Sequence, residues 1–427
     1  MNKIVNKVKN GLMGELNFPG DKSISHRSVM LSALGASPVR IVNFLNAEDT
    51  LSTAKIMGQL GAKIEFVGDT ELIVTGNGLH GLNAPTAILD AGNSGTTLRL
   101  LMGLLSGANI AAEFTGDASL SKRPMKRIIT PLSTMGANIE STDGKLPIRI
   151  KKSEGLKGVT YEMPMASAQL KSALLLAGLF ANGKTTVIEP AVSRDHTERM
   201  LAAFGASILR GENSVTIEPA KELIAPENIL VPSDISSAAY FMVAALIIPN
   251  SDVILKDIGV NPTRTGIIDV LKKMGGNIEL NNKRTVCGEE IADIRVRSSK
   301  LSGVTFGKEI MGRLIDEIPI IAVAAAFADG KTVVKDAGEL RVKETDRIKA
   351  IATSFNKLAK GMIEETENGF VVTGKLPINF AAADSFNDHR IAMSLAILGA
   401  AAKGVEIENS ESVNISYPGF YDTLEKF

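Results

Sequence analysis

Residues 178–185 read "GLFANGKT", and the direction in which this stretch is read decides the fold. As a pattern it satisfies G-x-x-x-x-G-K-[ST], the loop that cradles nucleotide phosphates. That chemistry needs a strand before the loop and a helix after it, so that backbone N–H groups and a helix N-terminus converge on the phosphates. Here the order is reversed. "SAQLKSALLLAGLFA" (167–181), a run of helix formers, comes first, and the short β-branched "TTVIEP" (185–190) comes after. The stretch therefore predicts a helix stop, with Gly183 at the C-cap and Lys184 on the negative end of the dipole. "VAAAFADGKTVVKDA" (323–337) repeats the same helix-turn-strand grammar at Gly330.

Working outward, that grammar recurs along the whole chain. Six segments run from a polar cap through an Ala/Leu/Met-rich helix to a β-branched strand. The strands begin near Val39, Ile110, Thr186, Val253, Val333 and Val405, at intervals of 67 to 80 residues. A second helix-strand element alternates with the first: "TAKIMGQLGAKIEF", "RIITPLSTMGANIE", "TERMLAAFGASIL", "IIDVLKKMGGNIEL" and a degraded "IKAIATSFNKLAKGMIEE". Each has apolar residues at helical spacing, and glycine ends the helix before the strand. The sixth copy is missing after residue 416, and the N-terminal "KIVNKV…GELNF" is the available source of its strand. Residues 1–20 are therefore expected to fold with 233–427 as one domain and 21–232 as the other, with three repeats in each. An open solenoid would need polar capping repeats at its ends, and the sequence has none.

Composition restricts the partners. The 427 residues carry 47 basic and 47 acidic side chains, so no global field recruits nucleic acid or an anionic membrane. A single cysteine, Cys287, allows no intramolecular disulfide and suits a reducing cytoplasm. The N-terminus lacks the apolar core of a signal peptide, and runs such as "FMVAALII" are too short to span a bilayer. Histidines 26, 80, 196 and 389 show no metal-ligand spacing, so no metal site is expected; no cofactor is expected either.

The unusual residues stand before the helices. "PGDKSISHR", "DAGNSGTTLR", "MASAQLK", "PSDISS", "GRLIDEIP" and "NDHR" precede the first type; "NAEDT", "SLSKRPMKR", "VSRDHTER", "NPTRTG" and "LRVKETDR" precede the second. Caps alone account for the Ser, Thr, Asp and Asn, and "RVKETDR" reads equally as a helix laced with i,i+4 ion pairs. If the helices of a domain run parallel, however, their positive dipole ends add to Lys22, Arg27, Arg123, Arg127, Arg194, Lys343, Arg347 and Arg390. Such a face suits small ligands with several phosphate or carboxylate groups. "IDEIP" leads two acids directly into an apolar run, and Asp316 and Glu344, each near basic residues, are candidates for proton transfer.

At "PGDKSISHR", "GNSGTTLR", "RVKETDR" and "NDHRIAM" together, the chain resembles the 5-enolpyruvylshikimate-3-phosphate synthases over essentially its full length. "GNSGTTLR", "ASAQLKSA" and "SRDHTER" look like the variant of many Gram-positive and other bacteria. The resemblance implies an inside-out α/β barrel of two domains, each of three βαβαββ units, with the active site in the cleft between them. It implies transfer of the enolpyruvyl group of phosphoenolpyruvate to the 5-hydroxyl of shikimate 3-phosphate, through a tetrahedral intermediate, with release of phosphate. By motif, Lys22, Ser23, Arg27, Ser167, Ala168, Gln169, Arg194, Asp316 and Lys343 would meet shikimate 3-phosphate. Lys22, Asn93, Gly95, Arg123, Gln169, Arg347 and Arg390 would surround phosphoenolpyruvate. Asp316 would take the hydroxyl proton, while Glu344 and Lys22 are both candidates for protonating the methylene carbon. The resemblance also implies a cytoplasmic monomer of aromatic amino acid biosynthesis and a target of glyphosate, which competes with phosphoenolpyruvate.

Three departures from enteric members stand out: Ile415 before "SYP" where they carry a lysine, Leu100 for a proline, and Arg194 and His196 at neutral and tyrosyl positions. Gly95 leaves open the volume that an alanine methyl fills in glyphosate-resistant members. The alternative family member, the UDP-N-acetylglucosamine enolpyruvyl transferase, normally uses a mobile loop with a reactive cysteine, and Cys287 occupies no such place.

Overall fold

A computed structural model describes residues 1–427. It contains six small sheets and thirteen α-helices, none long and apolar enough to cross a membrane. Two compact units emerge. Unit 1 comprises Met1–Pro19, Ser233–Arg284 and Glu290–Phe427; unit 2 comprises Gly20–Pro232 and Thr285–Glu289.

Unit 2 holds α1 (Lys22–Ser32), α2 (Glu48–Gln59), α3 (Gly95–Gly107), α4 (Lys126–Thr134), α5 (Ala168–Gly178) and α6 (His196–Ala203). Its three four-stranded sheets share one plan. In the second, Leu89–Asp90 lies parallel to Ala112–Thr115, which pairs antiparallel with Lys145–Lys151, itself paired antiparallel with Asn138–Thr142. In the first sheet the leading strand is Asn228–Leu230, from the end of the unit, parallel to Val39–Val42. Unit 1 holds α7 (Ile235–Ile247), α8 (Gly266–Lys273), α9 (Lys308–Leu314), α10 (Ile318–Ala326), α11 (Arg347–Leu358), α12 (His389–Ala401) and α13 (Phe420–Leu424). Here the N-terminus supplies two strands: Met13–Leu16 parallel to Asp252–Gly259, and Lys3–Val5 antiparallel to Val405–Glu408.

The first helix of each repeat is buried almost all round. In α10 every residue from Ile318 to Ala326 is buried, and α7, α3 and α5 carry similar apolar runs. Each fully buried Leu or Ile contributes about 1.5–3 kcal/mol by leaving water. The α3–α5 approach depends on Gly103, where a Cβ would stand 2.1 Å from the carbonyl oxygen of Ala173. No larger residue permits that crossing, which brings the two helix starts together.

"GLFANGKT" is a helix followed by a strand, opposite to a nucleotide loop, but the stop needs correcting. α5 ends at Gly178 with Leu179 as its C-cap, five residues before Gly183. Gly183 instead supplies a left-handed turn (φ +103°) before the strand Thr185–Ile188. Lys184 pairs at 2.6 Å with Glu218, just past the neighbouring strand Ser214–Ile217, not with the helix end. Gly330 serves the same turn, with φ +86°, after α10 has ended at Ala326.

Candidate functional site

In unit 2 the helix starts are tied to one another through side chains. Asp21 caps α1, its Oδ1 accepting from Ile24 N at 2.9 Å, and this places Lys22 and Ser23 on the first turn. Lys22 Nζ forms an ion pair with Asp49 on the first turn of α2. Ser94 caps α3, and Thr97 of that helix is bonded to Thr53 of α2 at 2.7 Å; Thr53 in turn meets His26 Nδ1 of α1 at 2.7 Å. Burial, with the charges of Lys22 and Arg27 added, pushes His26 well below its ordinary pKa and keeps the ring neutral.

Arg27 is almost fully enclosed. Its guanidinium donates to Thr197 Oγ1 of α6 at 2.6 Å, to Ser172 Oγ of α5 at 2.8 Å and to the Ser23 carbonyl at 2.9 Å. Desolvation lowers its pKa to about 10, against the support of Asp21, Glu198 and Glu289 and with the repulsion of Arg194. Half-buried Arg194 therefore lies within the field of Arg27.

The α3 start forms a second cationic group. Arg99 donates to Gln169 Oε1 at 2.7 Å, and Gln169 Nε2 donates to Thr96 Oγ1 at 3.1 Å. Arg123 donates to Asn93 Oδ1 at 2.7 Å, and Asn93 is held by Asp117 at 2.6 Å. Ser167 caps α5, and Ala168 opens it. Arg127 is half-buried on the first turn of α4. The space at Gly95 is not open, contrary to the sequence expectation. A Cβ there would stand 2.7 Å from Arg99 Nη1 and 3.4 Å from Arg123 Nη1.

Cys287 is remote in sequence from every helix start, yet its turn packs on α6: Arg199 Nη1 donates to the Gly288 carbonyl at 3.1 Å, and Glu289 Oε1 lies 2.9 Å from His196 Nδ1. Burial pushes the Cys287 thiol pKa up, which disfavours the nucleophilic thiolate. His196 is thus a buried partner of a carboxylate, 2 % exposed.

In unit 1 the cations and acids interleave. Arg347, 1 % exposed, reaches Asp388 at 2.7 Å, Glu344 at 2.6 Å and Asp316 at 3.5 Å. Lys343 stands 3.5 Å from Asp316 and 2.9 Å from Glu339. Arg390 donates to the Asp316 carbonyl at 3.1 Å, with its other terminal nitrogen 3.9 Å from the carboxylate. Burial opposes the charge on both arginines, but the ring of carboxylates prevails and drives both pKa values above the ordinary guanidinium range. Glu317 is buried behind them, accepting from Ser236 Oγ, which also accepts from Arg264 Nη2 at 2.8 Å. Ile415 is half-buried in the 3₁₀ turn Ser410–Ile415, and Leu100 is fully buried in α3, so Leu100 packs core.

Arg99, Asp49, Asp388, Ser172 and Thr197 escaped the sequence reading, although each lies inside or beside a quoted motif. Arg99, Ser172 and Thr197 stand three or four residues from a named one, and Asp49 and Asp388 read as ordinary acids at a helix start, patterns too common to single out.

Helix N-termini dense in Arg and Lys, with carboxylates interleaved among them, define an α/β enzyme that handles small polyanions. The chain belongs to the EPSP synthase (3-phosphoshikimate 1-carboxyvinyltransferase) family, whose family model matches residues 7–424. It is 50 % identical over 420 residues, 98 % of each chain, to the 3-phosphoshikimate 1-carboxyvinyltransferase of Thermoanaerobacter sp. (strain X514). The solved EPSP synthase of Acinetobacter baumannii superposes with a TM-score of 0.90 at 42 % identity, covering 100 % of this chain and 98 % of that one. The enolpyruvyl transferase NikO of Streptomyces tendae shares the fold at 19 % identity, with a TM-score of 0.81 over 100 % of this chain and 97 % of that one.

Proposed function

We propose that the chain transfers the enolpyruvyl group of phosphoenolpyruvate to the 5-hydroxyl of shikimate 3-phosphate, a step of aromatic biosynthesis. Family membership across residues 7–424 supports the reaction. The grouping of Asp316, Glu344, Arg347 and Arg390 supports the assignment of roles.

Lys22, Ser23, Arg27, Ser167, Ala168, Gln169 and Arg194 of unit 2, with Lys343 of unit 1, are assigned to shikimate 3-phosphate. Asn93, Gly95, Arg123, Gln169, Arg347 and Arg390, together with Lys22, are assigned to phosphoenolpyruvate. The arginines match planar carboxylate and phosphate groups bidentately. Addition requires a proton to leave the 5-hydroxyl and one to reach the methylene carbon. Asp316 takes the first. Glu344 delivers the second, with Lys22 as the other candidate. Elimination returns a proton from the new methyl group to the acid and breaks the C–O bond to phosphate, which leaves with the proton that Asp316 had taken. Cationic groups compensate the charge that develops on the phosphoenolpyruvate side, which is where preorganised electrostatics contributes most.

The deciding experiment measures phosphate release from phosphoenolpyruvate, with and without shikimate 3-phosphate, in excess chelator. Release that requires shikimate 3-phosphate and survives chelation is expected. Release that requires a UDP-amino sugar instead, or that returns only with added metal, overturns the reading. A cytoplasmic monomer is also proposed, and light scattering on the purified chain checks its mass.

A further inference from the structure

At the end of the first turn of α5 sits Lys171, its side chain 1 % exposed. A lysine is almost never buried to this degree without partners. Its Nζ lies 2.6 Å from Glu189 Oε1 and 2.8 Å from Glu198 Oε1, and it donates to the Ser193 carbonyl at 3.3 Å. Glu189 Oε2 in turn accepts from the Ser193 N–H at 3.1 Å and from the Ser193 hydroxyl. Glu189 and Ser193 belong to one short segment, and Glu198 lies on the first turn of α6, which that segment leads into. Residues 189–195 join the strand Thr185–Ile188 to α6, have no helix or strand structure of their own, and carry Arg194.

A buried ion pair seldom stabilises more than an apolar side chain of similar volume would. One buried lysine of α5 facing two glutamates is therefore poorly explained by stability. It is well explained by geometry: the ammonium dictates where Ser193, and with it Arg194, must lie. The next residue of α5, Ser172, holds Arg27, which feels the charge of Arg194. Two guanidinium groups that repel each other need a rigid frame unless an anion lies between them.

We propose that Lys171 is a positioning residue: through Glu189, Glu198 and Ser193 it fixes the segment 189–195 so that Arg194 meets the phosphorylated acceptor. The inference rests on the assignment of Arg194 to shikimate 3-phosphate.

Lys171→Met, Arg194→Ala and the double variant are compared in steady-state kinetics. Lys171→Met should raise KM for shikimate 3-phosphate about tenfold, leaving kcat and the KM for phosphoenolpyruvate within about threefold. In the Arg194→Ala background it should add less than about twofold, because both changes remove one interaction. If the two effects multiply, or if KM stays within about twofold of wild type, the proposal falls. Glu189→Gln, which keeps volume and acceptor but removes the charge, carries the same test should Lys171→Met not fold. Hydrogen exchange at residues 191–195 separates this proposal from the functional reading. If the wild-type chain shows no transfer to shikimate 3-phosphate, the functional reading fails. Unchanged protection of that segment in the variant overturns the role of Lys171 in either case.

Discussion

Arg347 and Asp388 form an ion pair in which both side chains are enclosed, with Nε 2.7 Å from Oδ2 and exposures of 1 % and 0 %. Asp388 Oδ1 also accepts from the backbone N–H of Arg390 at 2.8 Å, capping α12. A single carboxylate thus orients one arginine through its side chain and another through the helix that carries it.

Asp388→Ala removes the cap and leaves Arg347 buried with one counter-charge fewer. Stripping one partner from a buried pair costs about 3–5 kcal/mol. The urea midpoint of Asp388→Ala should fall accordingly, and Asp388→Asn, which retains an acceptor for the cap, should lose less. Equal losses in the two variants would show that the charge alone matters.

Asp316→Ala should lower kcat by about two to four orders of magnitude and change substrate binding far less, as expected for a proton-transfer group. Asp316 neighbours Lys343, Arg347 and Arg390, so its removal also leaves net positive charge, which favours anion binding. Turnover within about tenfold of wild type would reduce Asp316 to a charge-balancing residue.

The alternation of helix and strand was legible because burial imposes a period and because glycine punctuates each turn. Gly183 shows the limit of that reading. It marks the turn correctly in sequence, but the helix stops earlier, at Gly178, and nothing local distinguishes the two glycines. Helix starts were legible as caps, as at Ser94 and Asp388. The pairing of those starts was not, because it depends on which helices are neighbours. Lys171 is the clearest case, since its partners Glu189 and Glu198 lie across a strand and a loop from it. Arg99 shows the same limit, for its contact with Gln169 depends on the close crossing at Gly103.

His26 links the fold to pH. Its folded pKa is held well below 6.5, chiefly by burial, so the unfolded chain binds a proton that the folded chain refuses. The neutral ring is therefore compatible with full stability above about pH 6.5, and stability falls as pH drops below that value. The contribution approaches about 1.4 kcal/mol per pH unit until the folded value is reached. Wild type and His26→Asn, unfolded in urea between pH 7 and 5, should differ in slope, with the variant flatter. Parallel curves would mean that His26 protonates in the folded state without cost.

Gly95 bears on inhibition by glyphosate. In the family this inhibitor competes with phosphoenolpyruvate, and a methyl at the Gly95 position is expected to exclude the longer inhibitor more than the compact substrate. The structure adds a complication. The added Cβ would meet Arg99 Nη1 at 2.7 Å and Arg123 Nη1 at 3.4 Å, both at the ends of flexible side chains. Arg99 Nη1 is the donor to Gln169, so the methyl presses that guanidinium away from its partner, while Arg123, held by Asn93 through its other terminal nitrogen, stays in ordinary contact. Two outcomes can then be told apart. If steric length dominates, Gly95→Ala raises the glyphosate inhibition constant by a discrimination of roughly 1–3 kcal/mol over phosphoenolpyruvate. If arginine displacement dominates, both anions lose affinity in equal proportion, because each depends on the same cations. We expect the first, with a smaller rise in the KM for phosphoenolpyruvate, since flexible arginines can yield a few tenths of an ångström. Arg99→Lys in the Gly95→Ala background provides the check: with a slimmer head at position 99 the methyl fits without displacement, so the phosphoenolpyruvate penalty of Gly95→Ala should shrink while the discrimination against glyphosate persists. Inhibition and Michaelis constants for the four proteins decide it, and a glyphosate constant unchanged by the methyl in both backgrounds would remove Gly95 from the site.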